Sequence, residues 1–206
     1  MSAASRWQNG GMENTRALLV VDVQPTFCEG GALGVEGGTA VAEGVAKYVA
    51  KNRGKYALIA TTQDWHIEPG EHFAQAPEEP DFVNTWPVHG VAGTAEAELH
   101  PALADLNADV AIKKGQYDHG YSGFDGKTEA GTTLAEALKS HGITAVDVVG
   151  IAESHCVRAT ALDARELGLE VRVLSDLTVP VTEEQGVTAR QELEAGGVEL
   201  LDSAQA

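Results

Sequence analysis

Residues 17–23, ALLVVDV, form an almost unbroken apolar run of strand length, as expected of a strand buried on both faces. Similar runs recur at 56–62 (YALIATT), 109–114 (DVAIKK), 145–151 (AVDVVGI), 169–175 (LEVRVLS) and 198–201 (VELL), so the pattern predicts six strands. Between them the period changes from continuous to helical. Val41, Val45, Tyr48 and Val49 recur at helical spacing after Thr39, a candidate N-cap, and before Gly54. TTLAEALKSHG at 132–142 predicts a helix capped by Thr132 and stopped by Gly142. Two more helices are predicted near 155–167 and within 183–195. Strands alternating with helices imply a parallel sheet covered on both faces. Residues 65–108 interrupt the alternation with a long irregular stretch that holds most of the prolines. A loop of that size in a compact domain is usually functional.

In open parallel sheets ligands bind beyond the carboxyl ends of the strands. Those ends carry Asp22, Asp64, Lys114 and the GIAESHCV turn at 150–157. Cys156 falls where the fourth strand turns into a helix, so helix N–H groups and the helix dipole favour a thiolate there. The same turn offers N–H groups to a developing oxyanion. A cysteine attacking an amide needs a base and a proton donor for the leaving nitrogen, and Asp22 and Lys114 are the candidates. Cys28, in a Glu-Gly-Gly loop without such a setting, reads as structural.

The stretch TTQDWHIEPGEHF at 61–73 sets Asp64, His66 and His72 within nine positions, and His89 follows in WPVHG. One carboxylate and up to three imidazoles suit a divalent transition metal such as Zn, Mn or Fe. His100, His119, His141 and His155 lie outside this cluster. Any one loop histidine alone is most often an exposed polar residue, so the grouping carries the reading.

Composition narrows the setting. The 206 residues fit one domain at 17–206 behind a flexible leader at 1–16, with Met12 an alternative start. A net charge of −17 repels phosphate backbones and anionic lipid, which excludes nucleic acid as an expected partner. No run reaches the length of a membrane span, the start has no apolar signal region, and two cysteines make no disulfide framework, so a cytoplasmic setting is expected.

Several segments together resemble the nicotinamidase (pyrazinamidase) family of the isochorismatase-like cysteine hydrolases. They are VVDVQPTFCEGGALGVEGG, TTQDWHIEPGEHF, NTWPVHGVAGTAEAELHP, IKKGQYDHGYSGFDG and VDVVGIAESHCVRATALDARELGLEVRVLSDLT, in the family's order over most of residues 17–178. The Asp22 strand end and the cysteine turn mark the superfamily, while the D-W-H-I-x-P-G-x-H loop and WPxH are specific to nicotinamidases. The resemblance implies a three-layer α/β/α fold with a mostly parallel sheet, and hydrolysis of nicotinamide to nicotinate and ammonia through a thioester.

By the same resemblance Cys156 is the nucleophile, Asp22 the base and Lys114 the third catalytic member. Asp64, His66, His72 and His89 hold one divalent ion (Zn, Fe or Mn), with His72 the most variable among relatives. The N–H groups of Ala152 and Cys156 form the oxyanion hole after a cis Ile151–Ala152 peptide. Phe27, Trp86 and Tyr121 line an aromatic pocket. The implied partner is a small molecule, with the chain a monomer or homo-oligomer. One departure is Ser154, where relatives commonly carry Asp; Ser154 is expected to cap the helix start. Two other readings stay open: an amidase of the same superfamily acting on a carbamoyl or aliphatic amide, and a non-catalytic metal-binding protein on the same scaffold.

Overall fold

The computed structural model describes residues 15–206. The leader, Met12 included, lies outside them except for its last two positions, and Arg16 already belongs to the first strand. Six strands form one sheet: β1 (Arg16–Val21), β2 (Leu58–Asp64), β3 (Val110–Lys114), β4 (Ala145–Ile151), β5 (Glu170–Val179) and β6 (Glu199–Leu201). Their order is β3-β2-β1-β4-β5-β6 and every pairing is parallel.

Side chains alternate across β1 as a pleated strand requires. Leu18 and Val20 join one apolar cluster with Val41, Val45 and Val49 of α1 (Gly38–Asn52). Ala17, Leu19 and Val21 join the other, with residues of α2 (Leu134–Ser140), α3 (Arg158–Glu166) and α4 (Glu183–Ala195). Three layers result, as expected.

Several boundaries move for local reasons. β2 runs on to Asp64 because its last residues pair with β3, setting Asp64 directly opposite Lys114. β5 extends past Ser175 because a bulge between Val148 and Gly150 lets Thr178 and Val179 resume pairing with β4. Thr133, not Thr132, caps α2 through a capping box with Glu136. Gly142, with φ +64°, ends that helix as predicted.

The α1 start also differs. Gly37 is its N-cap, and Thr39 lies in the first turn, where its N–H donates to Glu29 at 2.9 Å and its hydroxyl donates to the same carboxylate. The Gly37 N–H adds a third bond at 2.6 Å. Glu29 therefore does the capping from outside the helix, where a carboxylate also suits the positive end of the dipole.

At the amino end of the sheet, Asp147 is fully buried. Arg172 meets it with two nitrogens at 2.7 Å each, Arg16 at 2.8 Å and the Tyr56 hydroxyl at 2.7 Å. This network ties β1, β4 and β5 together far from their carboxyl ends.

The Thr39 hydroxyl, followed by the backbone bonds, holds the Glu29 carboxyl down at about 2, against an ordinary 4.5. A carboxyl whose value is lowered on folding adds stability above its unfolded value and loses it as pH falls through the folded one. Wild-type protein should therefore lose, between about pH 4.5 and 2, a stability increment that Glu29→Gln lacks throughout. Urea midpoints of the two proteins should converge across that window.

Candidate active site

The strand order reverses direction between β1 and β4, and such switch points open a crevice at the carboxyl edge of a parallel sheet. Asp22 follows β1 with φ +47°, a left-handed backbone that Asp tolerates better than most residues. Ile151 and Ala152 follow at the end of β4, joined by the expected cis peptide. The chain then makes one turn of π-helix, Glu153–Val157, before α3. Cys156 lies inside this turn rather than on the first turn of an α-helix. Ser154 does not cap it. Its Oγ lies 2.9 Å from His155 Nδ1 and accepts the Val181 N–H at 3.1 Å, linking the turn to the segment after β5.

Three strand ends meet at the Lys114 ammonium, which is completely buried. Nζ lies 2.9 Å from Asp22 Oδ2 and 3.8 Å from Cys156 Sγ, donates to the Gly120 carbonyl at 3.1 Å, and forms a close ion pair with Asp64 Oδ1. Burial alone would lower the lysine, but Asp22 and Asp64 outweigh it and raise it well above its usual range. Asp64 is pushed up by burial, yet Lys114 and the His66 and His89 imidazoles hold it well below the ordinary carboxylate range. Asp22 ends raised, because burial and the Asp64 charge exceed the help of Lys114 and of the Thr62 hydroxyl, which donates to Oδ1 at 2.6 Å.

Burial also raises Cys156 well above an ordinary thiol, with Lys114 pulling the other way and the two carboxylates adding to the rise. The thiolate favoured by the turn position is thus opposed by burial and by two nearby acids. The group rests as a thiol beside a base.

The three histidines converge as predicted. One ring nitrogen from each of His66, His72 and His89 lies within 4.8 Å of the others. Asp64 Oδ2 is 3.6 Å from His66 Nε2 and 3.7 Å from His89 Nε2. The second nitrogens of two rings meet backbone carbonyls: His66 Nδ1 at 2.6 Å from Gly115 O, and His89 Nδ1 at 2.7 Å from Pro87 O. A carbonyl can only accept, so both Nδ1 atoms carry hydrogen and each Nε2 is the ring nitrogen turned to the cluster. His66 Nε2 is buried with no hydrogen-bond partner. Burial and the neighbouring imidazoles push His72 down to about 4, which leaves that ring neutral at neutral pH. This donor set fits a divalent transition ion. Gly115, with φ +69°, is required here, since a Cβ would stand 2.6 Å from the His66 ring.

A cavity of about 370 Å³ opens beside both groups. Phe27, Trp86, Tyr121, Ala152 and Cys156 line it, together with Asp64, His72 and His89. The Trp86 indole N–H donates to the Tyr121 hydroxyl at 3.1 Å. The mostly apolar wall and few polar groups suit a small, flat ligand.

Sequence reasoning missed His155 and Phe82 in this wall. His155 stands edge-on to Trp86 with ring centres 5.7 Å apart, and Phe82 does the same from the other loop at 6.0 Å. Adjacency to Cys156 was the only sequence signal for His155; Phe82 had none. Thr62 and Gln24, which fix Asp22 and the Asp64 backbone, were also unread.

Residues 16–205 match the family described as Isochorismatase domain. A nicotinamidase/pyrazinamidase of Mycobacterium tuberculosis is 46% identical over 188 residues, covering 91% of this chain and 99% of the relative. Among solved structures, PnC1 from L. infantum in complex with nicotinate superposes with TM-score 0.79 at 34% identity, over 93% of this chain and 94% of that one. A pyrazinamidase of Pyrococcus horikoshii in complex with zinc gives 0.76 at 35%, over 91% and 99%. Fold and site together define an isochorismatase-like hydrolase architecture. The chain belongs to the isochorismatase family, among its nicotinamidase/pyrazinamidase members.

Glu153, 2% exposed at the head of the cysteine turn, pairs with Arg190 of α4 at 2.7 Å. Arg190→Ala leaves that carboxylate buried and unpaired, with an expected loss of about 3 kcal/mol. Adding Glu153→Gln should recover more than half of it, read from urea unfolding of the single and double variants.

Proposed function

We propose that this chain hydrolyses nicotinamide to nicotinate and ammonia through a cysteine thioester, and accepts pyrazinamide as well. The observation that carries the reading is the meeting of Asp22 and Lys114 with Cys156, which lines an aromatic-walled cavity that His72 and His89 of the three-imidazole cluster line as well. The relatives described above support the substrate class.

Asp22 takes the Cys156 proton as Sγ attacks the carboxamide carbon, and the Lys114 ammonium stabilises the anions as they form. The N–H groups of Ala152 and Cys156 receive the developing oxyanion. Asp22 then passes its proton to the amide nitrogen, the C–N bond breaks, and ammonia leaves a thioester. A water gives a proton to Asp22 and attacks the thioester carbon. The C–S bond breaks, nicotinate departs and the proton returns to sulfur. Phe27, Trp86 and Tyr121 hold the ring.

His66, His72, His89 and Asp64 would hold the divalent ion, which supplies a Lewis-acid contact for the ring nitrogen, direct or through water, and so orients the carboxamide. Zn, Fe and Mn all suit this donor set. Such an activity serves NAD salvage in the cytoplasm. No helix among the described residues is long and apolar enough to cross a membrane.

Ammonia release from nicotinamide tests the reading. Cys156→Ala should abolish it, and His66→Ala or dialysis against chelator should cut it at least about 100-fold, with divalent ion restoring the dialysed enzyme. Turnover of an aliphatic amide in preference to nicotinamide would overturn the substrate assignment. Activity untouched by chelator would overturn the role given to the ion.

A further inference from the structure

Phe73 has no part in the chemistry above, yet its ring packs against every imidazole of the cluster. Ring centres lie 5.2 Å from His66, 5.6 Å from His72 and 5.4 Å from His89. The three imidazoles are themselves 4.9, 4.9 and 5.2 Å apart, so four rings form one mutually packed group. A centre nearly equidistant from three others sits over the triangle they make. His72, His89 and Asp64 line the cavity and Phe73 does not, so its half-buried ring meets the cluster outside the cavity wall.

The second observation concerns His72. His66 and His89 are each oriented by a backbone carbonyl on Nδ1. His72 has no hydrogen bond on either ring nitrogen among the described residues, and it sits in a short 3-10 turn, Gly70–His72, within the long irregular segment. Its ring is held by packing alone. Phe73 is well fixed to supply that packing. It bridges Trp86 as one rung of parallel pairing, with the Trp86 N–H donating to His72 O at 2.9 Å and the Ala74 N–H to Trp86 O at 3.0 Å.

We propose that Phe73 is a positioning residue for the three-imidazole centre: it fixes the His72 ring and seals the outer side, and so sets how fast a bound divalent ion escapes. A phenyl ring offers no ligand atom. It acts by excluding water from the back of the imidazoles and by holding His72 in its coordinating rotamer, the two means by which an apolar shell tunes a metal site. The inference rests on the metal reading given above.

The test is metal release, measured without substrate. Wild type, Phe73→Leu, Phe73→Val and Phe73→Ala are loaded with Zn²⁺ and mixed with excess chromogenic chelator. Release should quicken as the ring is cut back, reaching about tenfold or more in Phe73→Ala and staying within about threefold of wild type in Phe73→Leu. If the alanine variant does not fold, the step from Leu to Val carries the test. With Co²⁺ in place of Zn²⁺, the absorption bands should change in Phe73→Ala and be preserved in Phe73→Leu. A purely structural role would lower the unfolding midpoint of the metal-free protein and leave release unchanged, which overturns the inference. If wild type takes up Zn²⁺ and every variant releases it at the wild-type rate, Phe73 has no such role and the metal centre still stands. If wild type takes up no ion, the metal reading fails and this inference with it.

Discussion

A lysine ammonium with no exposed surface, set between two carboxylates and a thiol, is the constraint around which the carboxyl edge of the sheet is arranged. An isolated charge in that position would be too costly to keep, so the site needs both acids to hold the lysine protonated. The acids in turn need the lysine. With two carboxylates and one ammonium, the pocket resists a third anion; on the proposed reading the sulfur stays protonated until a substrate carbonyl takes up the developing charge. On the same reading a divalent ion beside Asp64 would offset that excess, and one carboxylate would link the two halves of the site electrostatically.

The fold makes this arrangement available through register rather than through loops. Parallel pairing sets Asp64 opposite Lys114 on neighbouring strands, and the reversal of strand order sets Asp22 beside the turn that carries Cys156. Each group is the last residue of a strand or follows one closely, so rigid backbone holds the distances. The histidines are different. They come from the long irregular segment, and two of three are fixed by carbonyls contributed by other loop residues.

Strand positions and the identity of the converging groups were legible in the sequence because apolar runs mark buried strands and polar residues ending them stand out. Asp22, Lys114 and Cys156 were found in this way. Helix starts were less legible, since a cap depends on which neighbour reaches the free N–H groups. Glu29 caps α1 across ten residues of sequence, and Ser154 bonds to Val181 instead of serving its own turn. The wall residue Phe82 was invisible for a related reason: no local pattern tells which side chains of an irregular loop will face a cavity. The burial of Cys156, which opposes the thiolate that its turn position favours, was not legible either.

The rung between Phe73 and Trp86 has a wider implication. One residue of the pair faces the imidazoles and the other the proposed ring clamp, so the spacing between ion cradle and aromatic slot is built into a single backbone bridge. The segment then works as a gauge. On the proposed reading it passes amides whose ring acceptor and carbonyl are separated as in a meta-substituted pyridine, and an isomer with its nitrogen elsewhere on the ring fails by distance alone, however well it fills the slot.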